Sequence, residues 1–320
     1  FFCSSNNNAT MHEKHFYAII ICCCFLSFLF ILFTTFRSSS VNPSTSRPLA
    51  LSSNAPLIVF SEGSAGWLGE NILVMPPCDV QCMFSDEPMD MKKADALVWH
   101  VPQIQLIEIQ KALGTHKLPS NGRQLFVSFS LEPDCDNRLD KARELVDIEM
   151  TYRKNIAEIW APYIPLQVDE LRTRFDQSEK WLSNGQRKHT APVAMFVSNC
   201  NAYSDRLEIT KALMEIGGLQ VDSFGACLNN AQHPNNIMHS ATSKISIMRE
   251  YLFVLAFENC ITHDYVTEKI YHVFKAGAVP IYMGAPNIRE FVPSNNSVVF
   301  VDEFDVNSDH GIKQLANHIK

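Results

Sequence analysis

The chain has 320 residues, 46% of them apolar, with 27 basic against 34 acidic side chains and a formal net charge of −7. That apolar content fills the cores of two ordinary domains and excludes a disordered tail. The acidic surplus excludes a nucleic-acid partner held by phosphate neutralisation, so no nucleic acid is expected.

Residues 1–15 read as a cytosolic tail, and the stretch before Met11 (residues 1–10) is expected to be untranslated or a fragment's edge, with no structural role. From Phe16 to Phe36 no residue is charged. A helix of that length is roughly 31 Å long and crosses a bilayer core. Thr34-Thr35-Phe36-Arg37 lacks the small-residue pattern of a cleavage site, so an anchor is expected over a cleaved signal. Cys22, Cys23 and Cys24 inside it read as apolar filler. Residues 37–56 are rich in Ser, Pro and Asn, as in a flexible stem.

Beyond the stem, short apolar runs have the length of buried strands: Leu57 to Phe60, Ala96 to Trp99, Leu125 to Phe129, Val193 to Val197, Tyr251 to Phe257, Val279 to Met283 and Val298 to Val301. Helical patterns between them include Asp136 to Asp147, Asp205 to Ile216 and Asp264 to Lys275. Such alternation predicts an α/β fold with parallel sheets. A polar stretch from Asp169 to Thr190 separates an N-terminal domain over 57–170 from a C-terminal domain over 188–320. Two domains of this kind make a cleft, and the loops after Phe129, Val197 and Phe257 are where chemistry is expected. Cys78, Cys82, Cys135, Cys200, Cys227 and Cys260 permit fifteen disulfide pairings, of which none is singled out. Cys78 and Cys82 lack a second pair to complete a zinc site.

Chemistry concentrates in two strand-loop-helix units. In Val193 to Ile216, Asp205 and Glu208 have capping-box spacing, and Ile209, Ala212, Leu213 and Ile216 form a stripe that leaves Arg206 free of the core. An arginine there can fork two bonds to a diphosphate. In Phe257 to Gly284, Asp264 is expected to cap a helix whose N-terminus suits phosphate. Tyr265, Glu268 and Lys269 then share a face, with Glu268 suited to a ribose and Lys269 to phosphate. A solvated surface face is the competing reading of both.

The phrase FENCITHDYVTEKIYHVFKAGAVPIYMGAPNIREFVP closely resembles the donor-binding signature of family 10 glycosyltransferases, the α-1,3/1,4-fucosyltransferases, and SNCNAYSDRLEI and VDSFGAC resemble its companion motifs. The likeness runs from about Leu125 to the chain's end. It implies the GT-B architecture, two Rossmann-like domains facing across a cleft, here preceded by one transmembrane helix. It also implies a single-pass type II Golgi membrane protein with a lumenal catalytic part. By resemblance, Arg206 and Lys269 contact the diphosphate of GDP-fucose, while Asn259, Tyr265 and Glu268 line the nucleotide-sugar pocket. The implied reaction inverts the anomeric centre as fucose passes to O-3 or O-4 of N-acetylglucosamine on a glycan. Glu132 in SFSLEPDCDN takes the place of the family's general base, although the Ser between Glu and Pro is missing. Tyr152 and Arg153 resemble a further motif. Asp134-Cys135-Asp136 has the D-x-D form of metal-dependent transferases and is read as coincidence. No tightly bound cofactor or metal is expected, and Mn²⁺ stimulation stays open. Asn295-Asn296-Ser297 is a glycosylation sequon. The C-terminal domain is expected to be truncated at its end, and a membrane-tethered binding protein without turnover is the rival reading.

Overall fold

Short apolar runs become parallel strands in two separate sheets. The computed structural model describes residues 55–60, 73–74, 82–85, 87–101, 124–135, 137–162, 193–232 and 241–320. The expected anchor, nearly all of the stem and the polar stretch from Asp169 to Thr190 lie outside the described residues. Among the described residues no helix is long and apolar enough to cross a membrane. The chain divides into two units, Phe1–Pro162 and Tyr163–Lys320.

Unit 1 contains β1 (Leu57–Phe60), β2 (Leu73–Val74), β3 (Cys82–Ser85), β4 (Ala96–His100), β5 (Leu125–Ser130), α1 (Arg138–Arg143), β6 (Ile148–Thr151) and β7 (Ile159–Trp160). The strand order is β2-β3-β1-β4-β5-β6-β7, parallel except for the antiparallel β2–β3 pair. Consecutive residues of β4 and β5 are buried, which only a sheet covered on both faces can use. Helix α1 is shorter than the run from Asp136 to Asp147. Asn137 at φ 57° is not helical, and the Asp134 carboxylate caps the first turn by accepting from Leu139 N at 2.9 Å.

Unit 2 contains β8 (Val193–Phe196), α2 (Arg206–Glu215), β9 (Val221–Phe224), α3 (Ala241–Met248), β10 (Phe253–Phe257), α4 (Glu268–Ala276), β11 (Val279–Met283), β12 (Val299–Phe300) and α5 (Asp309–Ile319). Its sheet is wholly parallel in the order β12-β11-β10-β8-β9. Leu207 and Leu213 of α2 and Ile312, Leu315 and Ala316 of α5 close a core over Val193, Met195, Leu255 and Ile281. The two helices touch at Gly217, where an added Cβ would lie 2.7 Å from the Ala316 Cβ. A disulfide joins Cys200, after β8, to Cys227, after β9, across 27 residues.

The phase of α2 differs from expectation. Arg206, Leu207, Thr210 and Leu213 face inward, whereas Ile216 is 37% exposed and Ile209 and Ala212 are half-buried. Arg206 is therefore not free of the core. Thr210 can point inward because its hydroxyl donates to the Arg206 carbonyl at 2.7 Å. Asp205 makes no side-chain cap: it sits at φ 52°, in the left-handed region, so the expected capping box does not form.

Candidate functional site

In unit 2 the chain runs from β8 outward to β9 and then returns to place β10 on the other side of β8. The carboxyl ends of β8 and β10 therefore flank the point where strand order reverses, which is where open parallel sheets bind ligands. Arg206 enters from the connection after β8. Its Nη2 donates to the Asn199 carbonyl at 2.6 Å and its Nη1 to the Phe257 carbonyl at 3.3 Å. Only 3% of Arg206 is exposed, and burial lowers its pKa against the opposing pull of Glu258 and Tyr265. No carboxylate among the described residues pairs with it, and Nε has no partner.

Lys269 enters from the connection after β10. Its Nζ lies 2.9 Å from Glu258 Oε2 and 2.9 Å from Thr267 Oγ1. Glu258, the residue after β10, is fully buried, and Thr267 donates to it through both N, at 2.8 Å, and Oγ1. Burial pushes the Glu258 pKa up, against Lys269 and Thr267. Burial would lower the Lys269 pKa, but the carboxylates of Glu258 and Glu268 more than offset it and hold it above the ordinary lysine value. Three donors, Lys269 Nζ and Thr267 N and Oγ1, turn on the Glu258 carboxylate. Arg206 and Lys269 thus meet successive residues at the end of β10, and each cation opposes the other's charge.

The start of α4 departs from expectation. Asp264 does not cap the helix: it occupies a left-handed turn at φ 64°, exchanging two 2.9 Å bonds with Asn287. Thr267 is the cap, with Oγ1 accepting from Lys269 N. Tyr265 precedes the helix and is buried, so Tyr265, Glu268 and Lys269 do not form one helical face. Asn259 and Glu268 are half-buried, yet Asn259 Oδ1 and Glu268 Oε2 are enclosed and lack partners among the described residues. Two orphan acceptors and two cations suit a ligand with hydroxyls and anionic oxygens.

Among the described residues of this unit, two cavities lie near the candidate residues' elements. The larger, about 610 Å³, is lined by apolar residues including Ile209, Met283, Phe300 and Phe304 and by none of the candidate residues. The smaller, about 490 Å³, is lined by Cys200 to Tyr203 and Asp205 to Glu208, Arg206 among them. We place the polar chemistry with the smaller one, because a buried cation without a counter-ion faces that side.

In unit 1, Glu132 follows β5 on a pinned loop: its N–H donates to Ser130 Oγ at 3.1 Å, and Asp134 N donates to Tyr152 Oη at 3.1 Å. The Glu132 side chain is exposed. Arg153 is buried, with Nε bonded to Glu149 and Nη1 to Asp140, and Asp134 lies 3.5 Å from Nη1. The Asp134 carboxylate is thus engaged by Leu139 and Arg153, Cys135 is disulfide-bonded, and Asp136 lies outside the described residues. Among the described residues no cluster of His, Cys, Asp and Glu has metal-site geometry. Asn295 of the sequon is exposed, in a 3-10 turn.

Sequence reasoning passed over Glu258. The signal was a carboxylate directly after a buried strand, followed by a lysine in the first turn of the next helix, since a strand-loop-helix unit brings those two positions together.

Residues 186–320 match the family model described as glycosyltransferase family 10 (fucosyltransferase), C-terminal part. GDP-fucose protein O-fucosyltransferase 3 of Xenopus tropicalis is 40% identical over 141 residues, covering 43% of this chain and 28% of the relative. The proteins of that name from Gallus gallus and Homo sapiens are 38% and 39% identical, each over 43% of this chain and over 29% and 28% of their own lengths. The chain thus spans under a third of the curated relatives it matches. Crystal structures of an α1,3-fucosyltransferase, with GDP-fucose and without, superpose with TM-scores of 0.53 and 0.50 at 18% identity. They cover 85% of this chain and 80% and 81% of the solved chains, a likeness of fold.

Proposed function

We propose that this chain, with its family 10 C-terminal segment, is an inverting fucosyltransferase that moves L-fucose from GDP-fucose to O-3 or O-4 of N-acetylglucosamine in glycoprotein glycans. The observation that carries the reading is the meeting of Arg206 and Lys269, from separate strand-to-helix connections, at the end of β10. In this reading both face the donor diphosphate, where negative charge develops as the bond from the fucose anomeric carbon to phosphate breaks and GDP leaves with the electron pair. These cations meet that charge without a tightly held metal. Asn259 Oδ1 and Glu268 Oε2 accept donor hydroxyls, and Tyr265 lines the pocket. The acceptor hydroxyl attacks from the opposite face and gives its proton to Glu132. The anchor over residues 16–36 places the protein in the Golgi membrane with its catalytic part lumenal. A disulfide between Cys200 and Cys227 suits that oxidising compartment.

A second acceptor reading rests on the relatives' name, protein O-fucosyltransferase, which speaks for a protein hydroxyl in place of N-acetylglucosamine. The purified chain is to be incubated with GDP-fucose and, separately, N-acetylglucosamine glycans and folded protein acceptors, with gain of a deoxyhexose read by mass spectrometry. Glycan modification is expected; modification of protein side chains alone selects the second reading, and GDP binding without transfer or donor hydrolysis selects a binding protein. Glu132→Gln should lower transfer by about 10²- to 10⁴-fold and leave GDP affinity within about threefold. Undiminished transfer removes Glu132 from the mechanism.

A further inference from the structure

Glu258 has no assigned part in the reaction, yet the local geometry is organised around it. Its carboxylate is closed off from solvent and takes one bond from the Lys269 ammonium and two from Thr267, the residue that also caps α4. Thr267 Oγ1 in turn accepts from Lys269 Nζ at 2.9 Å. Two of the ammonium's three donors are therefore fixed by groups anchored to β10 and the helix start. The third is left over on a side chain that keeps 25% exposure.

We propose that Glu258 is a positioning residue for the donor: without touching the substrate, it keeps Lys269 charged and aims its remaining N–H at the diphosphate. This inference rests on the donor-site reading above. The alternative is a brace that merely joins β10 to α4. The two differ in what happens when the charge of Glu258 is removed and its shape is kept. With Glu258 neutral and Glu268 alone left to offset burial, the ammonium gives up its proton at lower pH than in the parent, and a neutral Lys269 must regain it to hold phosphate.

The other charged or titratable groups facing the pair are Arg206 from α2, Glu268, Tyr271 and His272 on α4, and Tyr282 on β11. Burial holds His272 down to about 4 and pushes the Tyr271 and Tyr282 phenols up. Arginine keeps its proton throughout. Lys269 is then the group that Glu258→Gln brings into range.

The test is GDP affinity, by calorimetry on the whole chain, at about pH 7 and about pH 9. The parent should change by less than about twofold, whereas Glu258→Gln should bind about tenfold more weakly at the higher pH. Glu258→Asp, with its carboxylate drawn back, should fall between them, at about threefold, and carries the test if the glutamine variant does not fold. A parent-like profile in the folded variant overturns the inference. Lys269→Ala runs alongside. Parent-like GDP affinity in it overturns the donor-site reading itself; weakened affinity with a flat Glu258→Gln profile overturns only the role given to Glu258.

Discussion

Among the described residues each unit buries one arginine beside the carboxyl ends of its strands, and the two are satisfied in opposite ways. Arg153, after β6, is ringed by Glu149, Asp140 and Asp134. Burial would lower its pKa, but the bond to Asp140 and the charge of Glu149 outweigh that and raise it. Arg206, the first residue of α2, has only the carbonyls of Asn199 and Phe257, and burial lowers its pKa. An unpaired buried ion costs several kcal/mol that carbonyl dipoles offset only in part. A guanidinium supplied with its own anions holds the fold together, and under the proposed donor-site reading one left without them is kept ready for an anion from outside.

The largest expected effect tests the structural side of that contrast. Arg153→Met removes one of the two cations on the buried Glu149 carboxylate, leaving Arg143, and should cost about 3 kcal/mol in denaturant unfolding. Arg206→Met leaves two carbonyls unbonded but no carboxylate, and should cost distinctly less. Equal losses in the two variants would break the comparison.

A smaller effect sharpens the picture of unit 2, where His272 is held neutral by burial and by Lys275, Lys244 and Lys269, despite Glu268. Its pKa falls from 6.5 to about 4, so the unfolded chain takes up the proton first as pH drops. The contribution of His272 is complete above about pH 6.5, the unfolded value, and is lost as pH falls toward 4, up to about 3 kcal/mol. His272→Gln should flatten stability against pH across that window. A slope unchanged by the substitution would assign the acid sensitivity to other groups.

The strands that read cleanly from the sequence are those whose apolar residues run unbroken, such as β4, β10 and β11. Two of the missed ones carry a charge in the run: Glu149 in β6, which pairs with Arg143 and Arg153, and Asp222 in β9, which accepts from Tyr251 Oη at 2.7 Å. Periodicity cannot tell a buried, paired carboxylate from a solvated one. The motif residues of the candidate site were legible as residue types, but not their directions. Left-handed turns at Asp205 and Asp264 reset the phase of the helices that come after them, turning Arg206 inward and delaying α4 to Glu268. Such turns at non-glycine residues leave little trace in local composition.

The central claim is that Arg206 and Lys269 hold one diphosphate, and GDP titration into Arg206→Met and Lys269→Ala, each first shown to be folded, tests it most directly. Each variant should lose about 1.5 to 3 kcal/mol, roughly 10- to 100-fold in Kd. Two folded variants that bind GDP as tightly as the parent would contradict it.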